Sequence, residues 1–366
     1  MGNPENYVRH LVNLIDLPGV KFITGTRFSG KTALLKMFAD ELPKLGYAPD
    51  NILYVNCDEP PEDNEAILTA RHADMIRRLS QGQDLFLLAD ELSSADEFET
   101  LVGNLYLNRK LHLYVATSWR GLITRELATV VSGGCREVRV FAAISAAKPE
   151  REYLIGRLYT ILFKDVLRHH ALRDADFLYS LLRYIWQYGH KTLTYRRMMR
   201  DLRPKNTPPH RKTLVEYLTA LTEAGLTEEL PRCDWRDTTR RLTGATKQYA
   251  ADLELRGALL GTAENETALW ENAVYLELRR RGYELLAGSN RSGDITFVSP
   301  RNPTFYVQLT SVRQINDALK PLRAIRDDAP KFVLTTEETV ARYAYGVKIM
   351  CARQFTENCG ELPLSG

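Results

Sequence analysis

Val20–Lys36 reads VKFITGTRFSGKTALLK. Val20, Phe22 and Ile23 form an apolar run expected to be a buried strand. It leads into Gly25-Thr-Arg-Phe-Ser-Gly30-Lys31-Thr32, and helical spacing begins at Ala33. This is the phosphate-loop pattern G-x-x-x-x-G-K-[ST], placed between a strand and a helix. Glycines let the backbone curl until its N–H groups face an anion, and the helix N-terminus adds partial positive charge. The expected nucleotide contacts are Gly25, Thr26, Arg27, Phe28, Ser29, Gly30, Lys31, Thr32 and Ala33. Lys31 is to reach the β- and γ-phosphates, and the Thr32 hydroxyl is to take one Mg²⁺ position. A nucleoside triphosphate with Mg²⁺ is therefore the expected ligand.

A second signal lies about 60 residues on, at Asp84–Leu92 (DLFLLADEL). The run Leu85–Leu88 predicts a buried strand, with Asp90 and Glu91 at its end. Asp90 is the expected Mg²⁺ ligand, and Glu91 the residue that polarises the attacking water. A third strand, Leu111–Ala116, ends in Thr117-Ser118, whose side chains are placed to sense a γ-phosphate; Ser118 joins the candidate contacts. After the loop, Leu34, Leu35, Phe38 and Leu42 share one helical face, and Pro43 with Gly46 ends the helix. Strands alternating with helices predict a parallel sheet whose ligand lies beyond the carboxyl ends of its strands.

The 366 residues leave room for two or three domains, and 44% hydrophobic with 26% charged content is that of a globular protein. A formal charge of +3 does not by itself name a partner. Cys57, Cys135, Cys233, Cys351 and Cys359 are scattered without a C-x-x-C pair, which argues against a zinc site or disulfide framework. With no signal peptide and no long apolar run, the expectation is a soluble cytoplasmic protein.

Between Glu150 and Leu230 the strand signals thin out. Arg151–His169 and Asp176–Trp186 have helical faces. A helix, a Pro-rich break, a second helix over Thr213–Leu221 and a short strand-like exit at Leu226–Leu230 resemble a winged helix-turn-helix module. Arg196, Arg197, Arg200, Arg203, Lys205, Arg211 and Lys212 face one acid, Asp201, a balance suited to a phosphate backbone. Arg196, Arg197 and Arg200 are the candidate DNA contacts. Glu216 makes the second helix a poor base reader, so contact with a protein is an equal alternative.

In the last third, Ala268–Gly282 predicts a helix, followed by strands at Gly293–Val298, Thr304–Thr310 and Lys331–Thr335. A helix Glu, a strand Asp and an acid-x-Lys pair form the metal site of many nucleases. Here the series is Glu271, Asp294, Gln308 and Thr310, so a neutral Gln replaces an acid and the Lys is missing. The expectation is a degenerate, inactive nuclease-like site.

These residues together resemble prokaryotic predicted ATPases that join an AAA-like domain, a winged helix and a C-terminal domain of unknown function with the PD-(D/E)xK nuclease fold. The resemblance runs nearly end to end, through ITGTRFSGKTALL, Asp90-Glu91, RELATVVSG, YAADLELRGALLG, WENAVYLELRRRGYE, GDITFV, YVQLT and APKFVLT. It implies an α/β chain in three parts: a P-loop parallel-sheet ATPase domain over 1–148, a helical and winged-helix segment over 149–240, and a restriction-endonuclease-like α/β domain over 241–366. It further implies ATP hydrolysis coupled to movement of the other two parts. Against the family pattern, Thr117-Ser118-Trp119-Arg120 replaces a Gly-Ser-Asn-Ser-like sensor. Ser132-Gly133-Gly134 replaces Ser-Gly-Arg, with Arg120 or Arg136 as substitutes for the absent arginine. The stretch from Phe141 to Glu152 is shorter than the family's lid. These departures imply weak or partner-stimulated hydrolysis, or a nucleotide-gated adaptor binding DNA or protein. A metal-dependent DNA nuclease is the remaining alternative.

Overall fold

The computed structural model describes residues 4–58, 65–102, 105, 107–127, 135–142, 149–202, 210–261, 265–301 and 303–357. Arg203, Lys205, Ser132, Gly133, Gly134, Cys359 and residues 143–148 of the shortened 141–152 connection lie outside them.

The N-terminal elements are α1 (Pro4–Asn13), β1 (Val20–Thr24), α2 (Lys31–Glu41), β2 (Ile52–Asn56), α3 (Glu65–Ser80), β3 (Leu85–Asp90), α4 (Ala95–Val102), β4 (Leu111–Thr117) and β5 (Cys135–Arg139). The five strands form one sheet in the order β2-β3-β4-β1-β5, parallel throughout. β1, β3 and β4 are buried on both faces, which explains their uninterrupted apolar runs. Alternation sorts those side chains between two cores. Val20, Phe22, Leu85, Leu87, Leu113 and Val115 pack in the cluster that holds Met75 and Leu79 of α3 and Phe98 of α4. Ile23, Phe86, Leu88, Tyr114 and Ala116 pack with Leu11 of α1 and Leu34, Leu35 and Phe38 of α2. α2 passes into a 3₁₀ turn over Leu42–Leu45, closed by Gly46 at φ 95°. The helix stop read from Pro43 and Gly46 falls there.

The helical segment contains α5 (Arg151–Ile161), continued by a π-helical turn over Leu162–Leu167, then α6 (Ala175–Tyr188), β6 (Leu193–Thr194), α7 (Tyr195–Asp201), α8 (Arg211–Glu223), β7 (Thr227–Asp234), β8 (Asp237–Ala250) and α9 (Leu253–Leu260). Short polar residues start these helices: Asp174 caps α6, Thr194 caps α7 and Asp252 caps α9, each accepting from first-turn amides. The expected exit over Leu226–Leu230 is one arm of a longer hairpin, because β7 and β8 pair antiparallel from Thr227↔Ala250 to Asp234↔Asp237. β8 also pairs with β6.

The C-terminal elements are α10 (Glu266–Arg280), β9 (Leu286–Asn290), β10 (Gly293–Ser299), β11 (Phe305–Thr310), α11 (Ile315–Arg323), β12 (Lys331–Thr335), β13 (Arg342–Ala344), β14 (Val347–Cys351) and α12 (Ala352–Glu357). Strands β9, β10 and β11 form an antiparallel meander, and β12 joins β11 in parallel after α11. The hairpin extends this sheet through a parallel pairing of β7 with β9. Nine strands result, in the order β13-β14-β12-β11-β10-β9-β7-β8-β6. Residue 240 therefore lies inside β8, a strand common to the helical segment and the C-terminal sheet.

Candidate nucleotide site

The polar residues singled out in the first domain converge at the carboxyl edge of its sheet. Register brings Thr24 level with Thr117 and Asn56 level with Asp90. The loop from Gly25 to Gly30 leaves β1 at that edge. A Cβ on Gly25 would lie 2.3 Å from the Val140 carbonyl oxygen, so only glycine fits. Gly30 has open space but φ +98°, a conformation that costs an L side chain energy. Gly30 is also the residue before α2, so no side chain caps that helix. Unlike α6, α7 and α9, its first N–H groups are left for an anion.

Lys31 is buried at 2% exposure. Its ammonium donates to the carbonyls of Gly25 (3.2 Å) and Thr26 (3.1 Å) and to Ser118 Oγ (2.9 Å). It pairs with Glu91 at 3.1 Å. Ser118 in turn donates to Glu91 Oε2 at 2.8 Å. Because β4 stands between β1 and β3, Ser118 at its end bridges the loop lysine and the acid after β3. Glu91 itself sits at φ 54° and Phe28 at φ 68°, conformations that non-glycine residues hold only where the surroundings enforce them. Thr117 does not enter the cluster; its hydroxyl bonds the main chain of Trp119.

Asp90 is 2% exposed. One carboxylate oxygen accepts from Tyr54 at 2.7 Å. The other, Oδ1, is buried without a hydrogen-bond partner, as are Thr26 Oγ1 and Ser29 Oγ. Buried polar atoms left unsatisfied are costly, and three at one glycine loop fit an oxygen-rich, cation-bearing ligand. Mg²⁺ suits the same residues: it is commonly held by one or two protein oxygens with phosphates and water. Thr32, half-buried at the start of α2, and the open oxygen of Asp90 would be those ligands. Ala33 is exposed on the same first turn.

Arg27, one of the expected nucleotide contacts, turns its side chain toward the helical segment. Its guanidinium forks onto Asp165 of the π-helical turn, with Nη2 at 3.0 Å and Nε at 3.2 Å. Nη1 donates to Asp58 at 2.8 Å, and Nη2 lies 3.9 Å from Glu91. Burial pushes the Asp165 carboxyl above its ordinary pKa, opposed by Arg27. The two substitutes named for the absent arginine are placed differently. Arg120 makes two bonds to Glu137, at 2.7 and 2.8 Å; burial raises the Glu137 pKa, but Arg120 overcomes it and the net shift is down. Arg136 is exposed and pairs in register with Lys21, three residues before the end of β1.

The second candidate site is also assembled by the fold. Glu271, Asp294 and Gln308 line one cavity of about 350 Å³ with His190, Lys191, Arg232 and Lys247. The missing cation is present, supplied from β8 rather than β11. Lys247 Nζ donates to Glu271 Oε1 at 2.8 Å, and Tyr249 donates to the same oxygen at 2.7 Å. Asp294 accepts from Ser289 at 2.6 Å. Gln308 Oε1 accepts from the Thr296 amide at 2.9 Å, and Thr310 is buried. Among the described residues no group of three or more His, Cys, Asp or Glu is placed to hold a metal. On α7, Arg197 and Arg200 both turn to Asp201, at 3.6 and 2.9 Å, while Arg196 is exposed.

Residues 18–144 match the family model of an AAA domain. Residues 142–266 match a domain of unknown function, DUF8612. An uncharacterized protein of Haemophilus influenzae is 23% identical over 376 residues, covering 90% of this chain and 92% of that one. One of Methanocaldococcus jannaschii is 22% identical over 316 residues, covering 72% of this chain and 67% of that one. Among solved structures, a Walker-type ATPase of Pyrococcus abyssi is similar at 16% identity and TM-score 0.43, over 71% of this chain and 96% of that one. AMPPCP-bound DnaA from Aquifex aeolicus is similar at 17% identity and TM-score 0.27, over 61% and 88%. No helix among the described residues is long and apolar enough to cross a membrane.

Proposed function

We propose that the chain is a Mg²⁺-dependent ATPase whose nucleotide state repositions its helical segment and C-terminal sheet. The observation that carries this is the set of buried, unpartnered oxygens on Thr26, Ser29 and Asp90 around the loop where Lys31 and Glu91 meet. In this reading Lys31 and the loop amides bind phosphate, and Thr32 and Asp90 hold Mg²⁺, which neutralises charge on the phosphates. Glu91 orients and deprotonates water. Ser118 sets the Glu91 carboxylate, and a triphosphate drawing Lys31 toward itself would loosen that carboxylate for water. The test is ATP binding and turnover in wild type and Lys31→Ala; a Lys31→Ala protein hydrolysing ATP at the wild-type rate would overturn the proposal.

The order α6-β6-α7-α8-β7-β8 supports a winged helix, and α10-β9-β10-β11-α11-β12 supports a nuclease-like fold. Coupling to the ATPase domain is supported by contacts at its edge: the Arg120 amide donates to the Glu223 carbonyl at the end of α8, at 2.7 Å, and Arg139 bonds Glu228 of β7. A second reading, a nucleotide-gated adaptor for DNA or protein with little hydrolysis, is favoured by the engagement of Arg120 with Glu137. Its DNA form predicts salt-dependent affinity that falls on charge reversal at Arg196. The nuclease reading is weakest, because Glu271 is already neutralised by Lys247.

A further inference from the structure

Three consecutive residues of the phosphate loop touch the helical segment. The Thr26 amide lies against Gly225, in the turn after α8, where a Cβ would come within 3.2 Å of it. Arg27 forks onto Asp165. Phe28 packs under the Arg157 guanidinium of α5 at 5.4 Å. Of these contacts only the middle one is between opposite charges, and its two ends are unequally placed.

Arg27 is set where a terminal phosphate would be read. Its Nη2 is 3.9 Å from one Glu91 oxygen, and the other Glu91 oxygen is 3.1 Å from Lys31 Nζ. Three carboxylates, those of Asp165, Asp58 and Glu91, surround this one guanidinium. A planar fork with several donors exchanges readily between carboxylate and phosphate, which it matches equally well. Asp165 has the opposite situation. Its side chain is 3% exposed and Arg27 is its ion-pair partner. A carboxylate so buried is strongly destabilising once its partner leaves. It sits on a π-helical turn, a local widening of the helix found frequently at functional sites.

We propose that Arg27 is the residue that reads the γ-phosphate, and that it exchanges between that phosphate and Asp165, so that triphosphate binding releases the Leu162–Leu167 turn. The proposal rests on the nucleotide reading of the site given above. Loss of Arg27 leaves the Asp165 carboxylate buried without its partner, and its move toward water displaces the turn. The turn packs beside α8, so the displacement enters the helical segment directly.

The experiment measures binding of fluorescent ATP and ADP analogues, with Mg²⁺, to the full chain and to Arg27→Ala, Asp165→Asn and Lys31→Ala. Arg27→Ala weakens ATP tenfold or more and leaves ADP unchanged. Asp165→Asn, by removing the competitor, tightens ATP severalfold and leaves ADP unchanged. Equal weakening of ATP and ADP in Arg27→Ala, no change in either, or weakened ATP binding in Asp165→Asn overturns the proposal. Should Asp165→Asn not fold, amide hydrogen exchange of the wild type decides. Leu162–Leu167 exchanges faster with ATP than with ADP, an effect absent in Arg27→Ala, and equal exchange overturns the proposal. If Lys31→Ala loses both nucleotides while Arg27→Ala loses neither, only the role of Arg27 fails. If wild type binds neither nucleotide, the reading of the site fails with it.

Discussion

Two polar sites stand out among the described residues, one at the carboxyl edge of the parallel sheet and one between α10 and strands β8, β10 and β11, and they differ in what their side chains touch. At the phosphate loop, Asp90 keeps one buried oxygen without a partner and two loop hydroxyls are likewise unsatisfied. In the C-terminal cavity, Glu271, Asp294 and Gln308 each have a partner: Lys247 with Tyr249, Ser289 and Thr296. Carboxylates and amides that neighbours already satisfy have little to gain from a metal. The first arrangement suits a ligand that brings oxygens and a cation, the second a polar network that stabilises a fold.

The widest separation between the two comes from their lysines. Lys31→Ala lowers ATP turnover by about 10²–10³, the usual loss for a preorganised charge on a developing anion, read in a steady-state assay. Lys247→Ala acts on stability instead. It leaves Glu271 with Tyr249 alone and costs about 2 kcal/mol, the scale of a hydrogen bond to a charged group, measured by denaturant unfolding. Equal effects of both variants on turnover would collapse the distinction. Gly25→Ala sharpens it from the backbone side. Its Cβ would lie 2.3 Å from the Val140 oxygen, so the loop shifts, nucleotide binding is lost and stability falls by about 1–3 kcal/mol. Calorimetry and titration of one sample check both.

The phosphate loop, the acids after β3 and the strand–helix alternation were legible because each is local: one motif, one apolar run, one helix face. What sequence did not reveal is carried by distant pairs. Arg27 and Asp165 are 138 positions apart, and nothing in a G-x-x-x-x-G-K-T pattern tells which loop residue turns toward another domain. Lys247 does not show in the nuclease pattern, which puts its cation on the strand of Gln308, whereas the cation comes from a hairpin that joins the sheet through β7 and β9. A lysine two residues before Tyr249, both reaching one helix glutamate, is the period-two signal that would have found it. The hairpin itself was read only as a short exit at Leu226–Leu230, since Thr238-Thr239-Arg240-Arg241 in its second strand lacks the apolar alternation that marks a strand.

A smaller effect tests both regions at once. Burial lowers the pKa of His169, which stacks on Trp119 at 4.0 Å beside the first site, to about 4. It does the same to His190, in the second cavity. A histidine with a depressed folded pKa binds fewer protons folded than unfolded, so its neutral form is compatible with full stability above about 6.5. Stability is then lost as pH falls from there toward 4. His169→Gln and His190→Gln each flatten that slope in a pH series of melting temperatures, and an unchanged slope in both would show the rings to be solvated.

The central claim is that the first site binds and hydrolyses ATP through Glu91. Its most direct test is ATP affinity and turnover of wild type beside Glu91→Gln. Glu91→Gln is expected to bind ATP as wild type does while turnover drops by about 10²–10⁴, the range for a lost general base. Undiminished turnover in Glu91→Gln, or a wild type that binds no ATP, would contradict it.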